Sequence, residues 1–483
     1  MHLGDLVPAD VALPAGAATV NVVGLTADSR AVAPGFLFAA LAGTATDGAR
    51  FAGDAVKRGA VAILAAADAG IAADVPVLRA ADPRRALSLA AARFHPRQPA
   101  HLVAVTGTSG KTSVADFTRQ IFALTGHAAA SIGTLGVVTS LGTAYGTMTT
   151  PDPVALHREL DSLAAAGIAH AVVEASSQGL DQRRVDGLRL QAAAFTNLGR
   201  DHMDYHPTVE AYLAAKLRLF EVVLPASGTA VIDMDGARSP DVEKVAAARR
   251  QRLIRIGRAG TEIRLVDLQP HDFRQRLTLA SFGRAHHVLL PLAGAFQASN
   301  ALTAAGLAIA TGIDPARVFA ALENLQGAPG RLELVGRKPN GAMVFVDYAH
   351  KPDALVSVLA ALRPMTQRRL VVVFGAGGNR DAGKRPLMGK AAADNADVVF
   401  VTDDNPRFED AAAIRRAILA AAPNAIEIAD RARAIHEAVA MLEAGDVLCV
   451  AGKGHESGQI VGGETIPFSD RDAVRAAVAD EAA

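Results

Sequence analysis

The feature that most constrains this chain is a recurring unit. A short run rich in Val, Ala and Ile is followed by a Gly- or Asp-rich turn and then by an Ala/Leu stretch of helical length. Repetition of strand, turn and helix demands an α/β architecture with mainly parallel sheets, because each helix returns the chain across the sheet before the next strand begins. The units fall into three blocks. Residues 1–98 hold the strand-like FLFAAL and AVAIL and end in FHPRQPAH, whose prolines read as a linker. Residues 99–332 start with HLVAVTG, continue through AHAVVEAS, AAAFTNL and TAVID, and close at the turn QGAPGRL. Residues 333–483 carry MVFVDYAH, LVVVFGAGG, DVVFVTDDN and VLCVAGKG. Three domains also suit a chain of 483 residues.

Charge narrows the function. Lys and Arg number 49 and so do Asp and Glu, which argues against a nucleic-acid or anionic-membrane surface as the main business. The single cysteine, Cys449, permits no disulfide framework and fits a reducing compartment. The N-terminus lacks a basic segment leading into an apolar core, and no apolar run reaches the ~18 residues of a membrane span. A soluble, cytoplasmic protein is expected.

The third block shows where chemistry gathers. MVFV runs into Asp347 and His350, LVVVF into GAGGNRD, VVFVT into DDNPR, and VLCVA into GKGHE. Ligands of open parallel sheets bind beyond the carboxyl ends of the strands. One polar strand end is an ordinary turn, whereas four at one edge point to a site.

In the second block VTGTSGKTSVADF follows a strand and opens a helix. Gly107 and Gly110 allow a tight turn whose N–H groups, with the helix N-terminus, hold phosphate oxygens. Lys111 can reach the terminal phosphates and Thr112 can offer its hydroxyl to Mg²⁺. The generic four-residue spacing between glycines is not met, because Val105 stands where the first glycine would be. Glu174 ends the strand HAVVEAS, a suitable place for a hard oxygen ligand. Asp201, His202, Asp204 and His206 follow another strand, where a polar turn would look the same. Lys216 reads, from its place on an amphipathic helix, as a lysine that lays its stem on apolar surface and keeps its ammonium in water.

GTSGKT, EASSQGL, TNLGRDHMDYH, the lysine of AYLAAKLRLF, SNALTAAG, GAPGRLE, VDYAHKPDAL and DNPR occur here in one order. Together they resemble the Mur ligases, ATP-dependent enzymes that form amide bonds in peptidoglycan precursor synthesis, and the resemblance covers nearly the whole chain. It implies three α/β domains: an N-terminal one for the uridine nucleotide, a central P-loop ATPase-like one, and a Rossmann-like C-terminal one that presents the incoming amino acid. It is nearest to the branch that adds meso-diaminopimelate to UDP-N-acetylmuramoyl-L-alanyl-D-glutamate through an acyl phosphate.

The resemblance also implies residue roles. Gly107, Thr108, Ser109, Gly110, Lys111, Thr112 and Ser113 would hold ATP, with Asn300, Arg331 and Asp347. Thr112 and Glu174 would hold one Mg²⁺ and His202 a second, with Lys216 as a carbamate; Lys111, Glu174, His202 and Lys216 form the catalytic set. Thr149, Thr150, Ser176, Gln182 and Arg184 would contact the muramoyl dipeptide, and Ser29 with Thr44, Ala45 and Thr46 the uridine end. For the far terminus of diaminopimelate, a zwitterion, Arg380 and Arg407 suit the carboxylate and Asp404 and Glu456 the ammonium. Asn405 lies between them, Pro406 stiffens the turn, and Gly452 allows close approach. Departures from the family pattern are Met148, Gln178 and Gln297, which bear on fine contacts. A monomer is expected. The competing readings are a lysine-adding muramoyl ligase, a folylpolyglutamate synthase, and a P-loop regulatory ATPase that hydrolyses ATP without an amino-acid acceptor.

Overall fold

The computed structural model describes residues 1–43, 46–144, 146, 148–199 and 201–481. The chain divides into two compact units, Met1–Arg264 with Leu302–Val318, and Leu265–Ala301 with Phe319–Ala483.

The first unit contains two sheets. In the N-terminal one, β1 (Gly24–Thr26), β2 (Phe36–Ala40), β3 (Ala62–Ala66) and β4 (Val77–Ala80) pair in that order, all parallel. Leu37 and Ala39 enter one apolar cluster and Phe38 and Ala40 another, so β2 is covered on both faces. This is why parallel strands read as continuous apolar runs rather than as alternation.

The second sheet is built from β5 (His101–Thr106), β6 (Ala129–Gly133), β7 (Gly136–Thr139), β8 (Gly142–Ala144), β9 (His170–Glu174), β10 (Leu190–Phe195), β11 (Thr229–Asp233) and β12 (Arg252–Gly257). Its order is β12-β11-β10-β5-β9-β6-β7-β8, parallel up to β6 and antiparallel beyond it. Helices start where short polar side chains cap them. Asp152 accepts from Val154 and Ala155 ahead of the helix Pro153–Ala165, and Thr208 accepts from Ala211 ahead of Val209–Arg218. β13 (Ile263–His271) begins against β12, pairing Ile256 with Ile263.

In the second unit β14 (Arg274–Ser281) and β15 (Arg284–Leu290) form an antiparallel hairpin. Its main sheet comprises β16 (Glu333–Arg337), β17 (Met343–Asp347), β18 (Leu370–Phe374), β19 (Val398–Val401), β20 (Ile426–Glu427) and β21 (Val447–Ala451), in the order β16-β17-β21-β18-β19-β20. All pairs are parallel except β16 with β17. Leu370, Val372 and Phe374 face one core, and Val371 and Val373 the other. The ribbon β22 (Gly458–Val461) and β23 (Glu464–Pro467) completes the unit. The expected strands are observed: FLFAAL, HLVAVT, AVVE, VVVF and VLCVA each hold one. The expected α/β class with mainly parallel sheets is the observed one.

Candidate active site

In the first unit only Gly107–Gly110 separates β5 from the helix Lys111–Leu124. Gly107 has φ 149°, and a Cβ there would stand 1.9 Å from Thr196 Oγ1, so only glycine fits. Thr196 and Asn197, just past β10, hold the loop in shape. Thr196 Oγ1 donates to Ser109 O (2.7 Å), Ser109 N donates to Asn197 Oδ1 (3.0 Å) and Thr108 N donates to Asn197 O (2.9 Å). These bonds fix the shape of the loop. Ser113 is buried in the helix that follows.

Two lysines meet at one carbonyl. Lys111 Nζ donates to Gly107 O and Thr108 O, both at 2.9 Å, and Lys216 Nζ donates to Gly107 O at 2.7 Å. Lys216 is 1% exposed. The sequence expectation of a lysine reaching water is thus wrong: the helix Val209–Arg218 turns Lys216 inward, where its Nζ lies 4.3 Å from the Tyr212 ring centroid. Burial, then the nearby Lys111 charge, hold its pKa well below the usual lysine value. Tyr212 donates to Thr108 Oγ1 (3.2 Å), and burial pushes its phenol up to about 12.

Register places Glu174 beside this loop, since Val105 of β5 pairs with Glu174 of β9. Thr112 Oγ1 donates to Glu174 Oε2 at 3.1 Å, and Thr134 engages the same carboxylate through its N–H (2.9 Å) and hydroxyl (3.2 Å). A buried carboxylate against a hydroxyl at a phosphate loop is the hard-oxygen pair that Mg²⁺ accepts while keeping other positions for water and phosphate. Among the described residues no group of three His, Cys, Asp or Glu could hold a metal unaided. His202 has φ 55°, is half-exposed, and places its ring 6.2 Å from that of Tyr212.

The residues expected at the muramoyl dipeptide form one network that ends on Glu174. Thr149 Oγ1 lies 3.0 Å from Thr134 Oγ1. Thr150 Oγ1 donates to Glu174 O (2.8 Å) and accepts from Ser176 N (2.9 Å). Arg184 donates to Thr150 O (2.8 Å) and to Gln182 Oε1 (2.7 Å), and Gln182 Nε2 donates to the Tyr205 hydroxyl (3.2 Å). Burial lowers the Arg184 pKa, so its guanidinium is a poorly solvated cation. Ser29 opens a turn after β1, and Thr46 is exposed with its carbonyl on Gly43 N (2.9 Å). Among the described residues neither joins the Glu174 network. Thr44 and Ala45 lie outside the described residues.

The second unit holds the other expected residues. Asn300 Nδ2 donates to Gln297 Oε1 (2.9 Å), and Gln297 Nε2 donates to Arg331 O (3.0 Å). The Arg331 guanidinium stands 4.6 Å from the Tyr348 ring centroid. Asp347 accepts from Leu332 N (2.6 Å) and Ala349 N (2.7 Å), and burial raises its pKa to about 6 against the pull of Arg331. Asn300, Arg331 and Asp347 are thereby brought into one neighbourhood.

At the carboxyl edge of β18, β19 and β21 the DDNPR turn packs against GAGG. A Cβ on Gly378 would fall 1.9 Å from Pro406 O, so the glycine lets the two segments touch. Arg407 has φ 53°; its Nη1 donates to Gly378 O (2.9 Å) and weakly to Asn405 O (3.4 Å). Asn405 Nδ2 donates to Glu456 Oε2 at 3.1 Å. Asp404 Oδ1 accepts from Asn405 N (2.6 Å), and Oδ2 lies 2.8 Å from where a Gly452 Cβ would be. Arg380 is exposed. Two partners went unread in the sequence: Arg431, fully buried, donates to both Asp470 oxygens (2.7 and 2.8 Å) and to Ala451 O (2.9 Å), and Lys453 is fully buried beside Asn405. A charged residue opening an amphipathic helix gives no hint that it faces inward.

A phosphate loop with its buried carboxylate and lysine, and a separate strand-end cluster of Arg, Asp, Asn and Glu, define a class. The Mur ligase family, catalytic domain matches residues 21–95, the Mur ligase middle domain residues 105–308, and the Mur ligase, glutamate ligase domain residues 330–454. The chain belongs to the Mur ligase family, whose members are ATP-dependent and form an amide bond between a carboxylate and an amine. It is 59% identical over 487 residues to the UDP-N-acetylmuramoyl-L-alanyl-D-glutamate–2,6-diaminopimelate ligase of Bradyrhizobium diazoefficiens, covering 100% of both chains. The ligase of the same name from Mesorhizobium japonicum is 57% identical, again over 100% of both chains. A solved structure of a UDP-N-acetylmuramoyl-L-alanyl-D-glutamate–2,6-diaminopimelate ligase is 32% identical, with a TM-score of 0.73 and 98% of each chain covered.

Proposed function

We propose that this chain joins the amine of meso-diaminopimelate to the γ-carboxylate of UDP-N-acetylmuramoyl-L-alanyl-D-glutamate, with ATP converted to ADP and phosphate, in peptidoglycan synthesis. The observation that carries the reading is Arg407 at a glycine-lined strand end, in a relative of diaminopimelate-adding ligases. A carboxylate does not acylate an amine. Attack of its oxygen on the γ-phosphoryl group gives an acyl phosphate; the amine then attacks the carbonyl and phosphate leaves. Lys111 and the Gly107–Thr112 amides neutralise the phosphates as two anions approach. Ser113 supports that loop, and Asn300, Arg331 and Asp347 are assigned to the nucleotide.

Thr112 and Glu174 would hold Mg²⁺, which supplies charge neutralisation when bound. Burial and the Lys111 charge lower the Lys216 pKa and so favour its neutral amine, the form that adds to CO₂ with release of a proton to leave a carbamate. That change places an anionic oxygen donor beside Lys111, and His202 is assigned to a second Mg²⁺. Thr149, Thr150, Ser176, Gln182 and Arg184 receive the muramoyl dipeptide, and Ser29 and Thr46 the uridine end. Arg407 and Arg380 take the distal carboxylate of diaminopimelate; Asp404 and Glu456 take its ammonium, with Asn405, Pro406 and Gly452 shaping the turn. The domains assigned are 1–98, 99–332 and 333–483. Among the described residues no helix is long and apolar enough to cross a membrane; a monomeric enzyme of the cytoplasm completes the proposed reading.

The test is ATP-dependent phosphate release with the muramoyl dipeptide nucleotide and either diaminopimelate or L-lysine. Release with diaminopimelate alone is expected. Equal release with lysine, or release that needs no amine, would overturn the assignment.

A further inference from the structure

The carboxylate and amide assigned to diaminopimelate rest on a lysine. Lys453 is 0% exposed, and its Nζ donates to Asn405 Oδ1 at 2.9 Å and to Glu456 Oε2 at 3.1 Å. Asn405 Oδ1 also accepts from Ile460 N (2.9 Å), while its Nδ2 donates to Glu456 Oε2 (3.1 Å). A carboxamide can sit either way round. An ammonium only donates and an ionised carboxylate only accepts, so between Lys453 and Glu456 a single orientation of Asn405 satisfies both. That orientation reaches the backbone of the neighbouring turn. With Ile460 N on Asn405 Oδ1, Ile460 O accepts from Arg407 N (3.0 Å), and Gly462 N donates to Arg407 O (2.6 Å). Asn405 O takes Gly378 N (2.9 Å) and the Arg407 guanidinium (3.4 Å).

Burying an ammonium is unfavourable unless it is well paired. An apolar side chain would fill this space with less desolvation, but it could not dictate how Asn405 sits, nor hold Glu456 in place. The lysine therefore supplies orientation rather than volume.

We propose that Lys453 is a positioning residue for diamino-acid recognition: it fixes Asn405 and Glu456 directly and Arg407 through Ile460, without touching the ligand. This rests on the reading of the pocket as a diaminopimelate site. Lys453→Met keeps most of the length of the side chain and removes its hydrogen-bond donors. The KM for diaminopimelate is expected to rise about tenfold to a hundredfold, as for a small misplacement of binding groups, while the KM values for ATP and the muramoyl nucleotide stay within about twofold. Lys453→Gln, which keeps an amide NH₂ donor on a shorter stem, is expected to lie between Met and wild type. Should Lys453→Met melt below the assay temperature, Lys453→Gln carries the same comparison. An unchanged diaminopimelate KM, or an equal rise in all three KM values, overturns the role of Lys453. Absence of wild-type turnover with diaminopimelate would instead defeat the reading of the pocket itself.

Discussion

Replacing Arg407 with Met isolates what this side chain adds to amino-acid selection. The guanidinium is anchored by one nitrogen, with Nη1 on Gly378 O at 2.9 Å and Asn405 O at 3.4 Å. Among the described residues its Nε and Nη2 bond no protein group, so that edge is open to a carboxylate, which guanidinium binds as a planar fork. Hydrogen bonds to charged groups are worth about 1.5–3 kcal/mol each. A loss of about 2–3 kcal/mol corresponds to a rise of about 30- to 150-fold in the diaminopimelate KM. Met adopts the same φ with the same strain as Arg, so the fold is disturbed little. Arg407→Lys keeps the charge without the fork and is expected to recover part of the loss. The assay is phosphate release with diaminopimelate varied at saturating ATP and muramoyl nucleotide, then with ATP varied. A parallel rise in the ATP KM, or no change in the diaminopimelate KM, would refute the reasoning.

Gly107→Ala sets a Cβ 1.9 Å from Thr196 Oγ1 and is expected to abolish nucleotide binding while the chain stays folded; unchanged affinity for a fluorescent ATP analogue would contradict the loop's role. Arg431→Met leaves Asp470 buried and unpaired, and is expected to cost about 3–5 kcal/mol in urea denaturation; pairing it with Asp470→Leu should restore part of this. Burial lowers His157, His170 and His455 from 6.5 to about 4 each. The unfolded chain then binds more protons than the folded one between these values, so stability is full above about pH 6.5 and falls toward pH 4, by at most about 3 kcal/mol for His157. Asp347, raised to about 6, works in the opposite sense as pH falls and offsets only part of the loss. Denaturation free energies at several pH values check this; a profile flat between pH 7 and 4.5 would contradict it.

Much of the architecture was legible because parallel strands buried on both faces leave runs such as LVVVF and VLCVA, and because strand ends in such sheets carry ligand chemistry. The phosphate loop was legible despite Val105, since Gly-Lys-Thr between strand and helix has few other uses. Lys216 was misread because helical periodicity tells which residues share a face but not that a lysine on the apolar face will be drawn onto a carbonyl. Asn197, Thr196 and Thr134 escaped notice because they act through register: the pairing of β5 with β10 brings Thr196 and Asn197 to the loop, and the pairing of β6 with β9 brings Thr134 to Glu174. Arg431 and Lys453 escaped for a related reason. Each is a buried cation with a partner far along the chain, Asp470 for one and Asn405 for the other.

The central claim is that the γ-carboxylate is activated by phosphorylation before the amine attacks. The direct test uses muramoyl nucleotide labelled with ¹⁸O in that carboxylate, together with ATP and diaminopimelate, and mass analysis of the phosphate released. Transfer of one ¹⁸O to each phosphate is the predicted result, because the bond that breaks when the amine attacks joins the carbonyl carbon to a carboxylate-derived oxygen. Phosphate free of label while the amide forms would contradict the account.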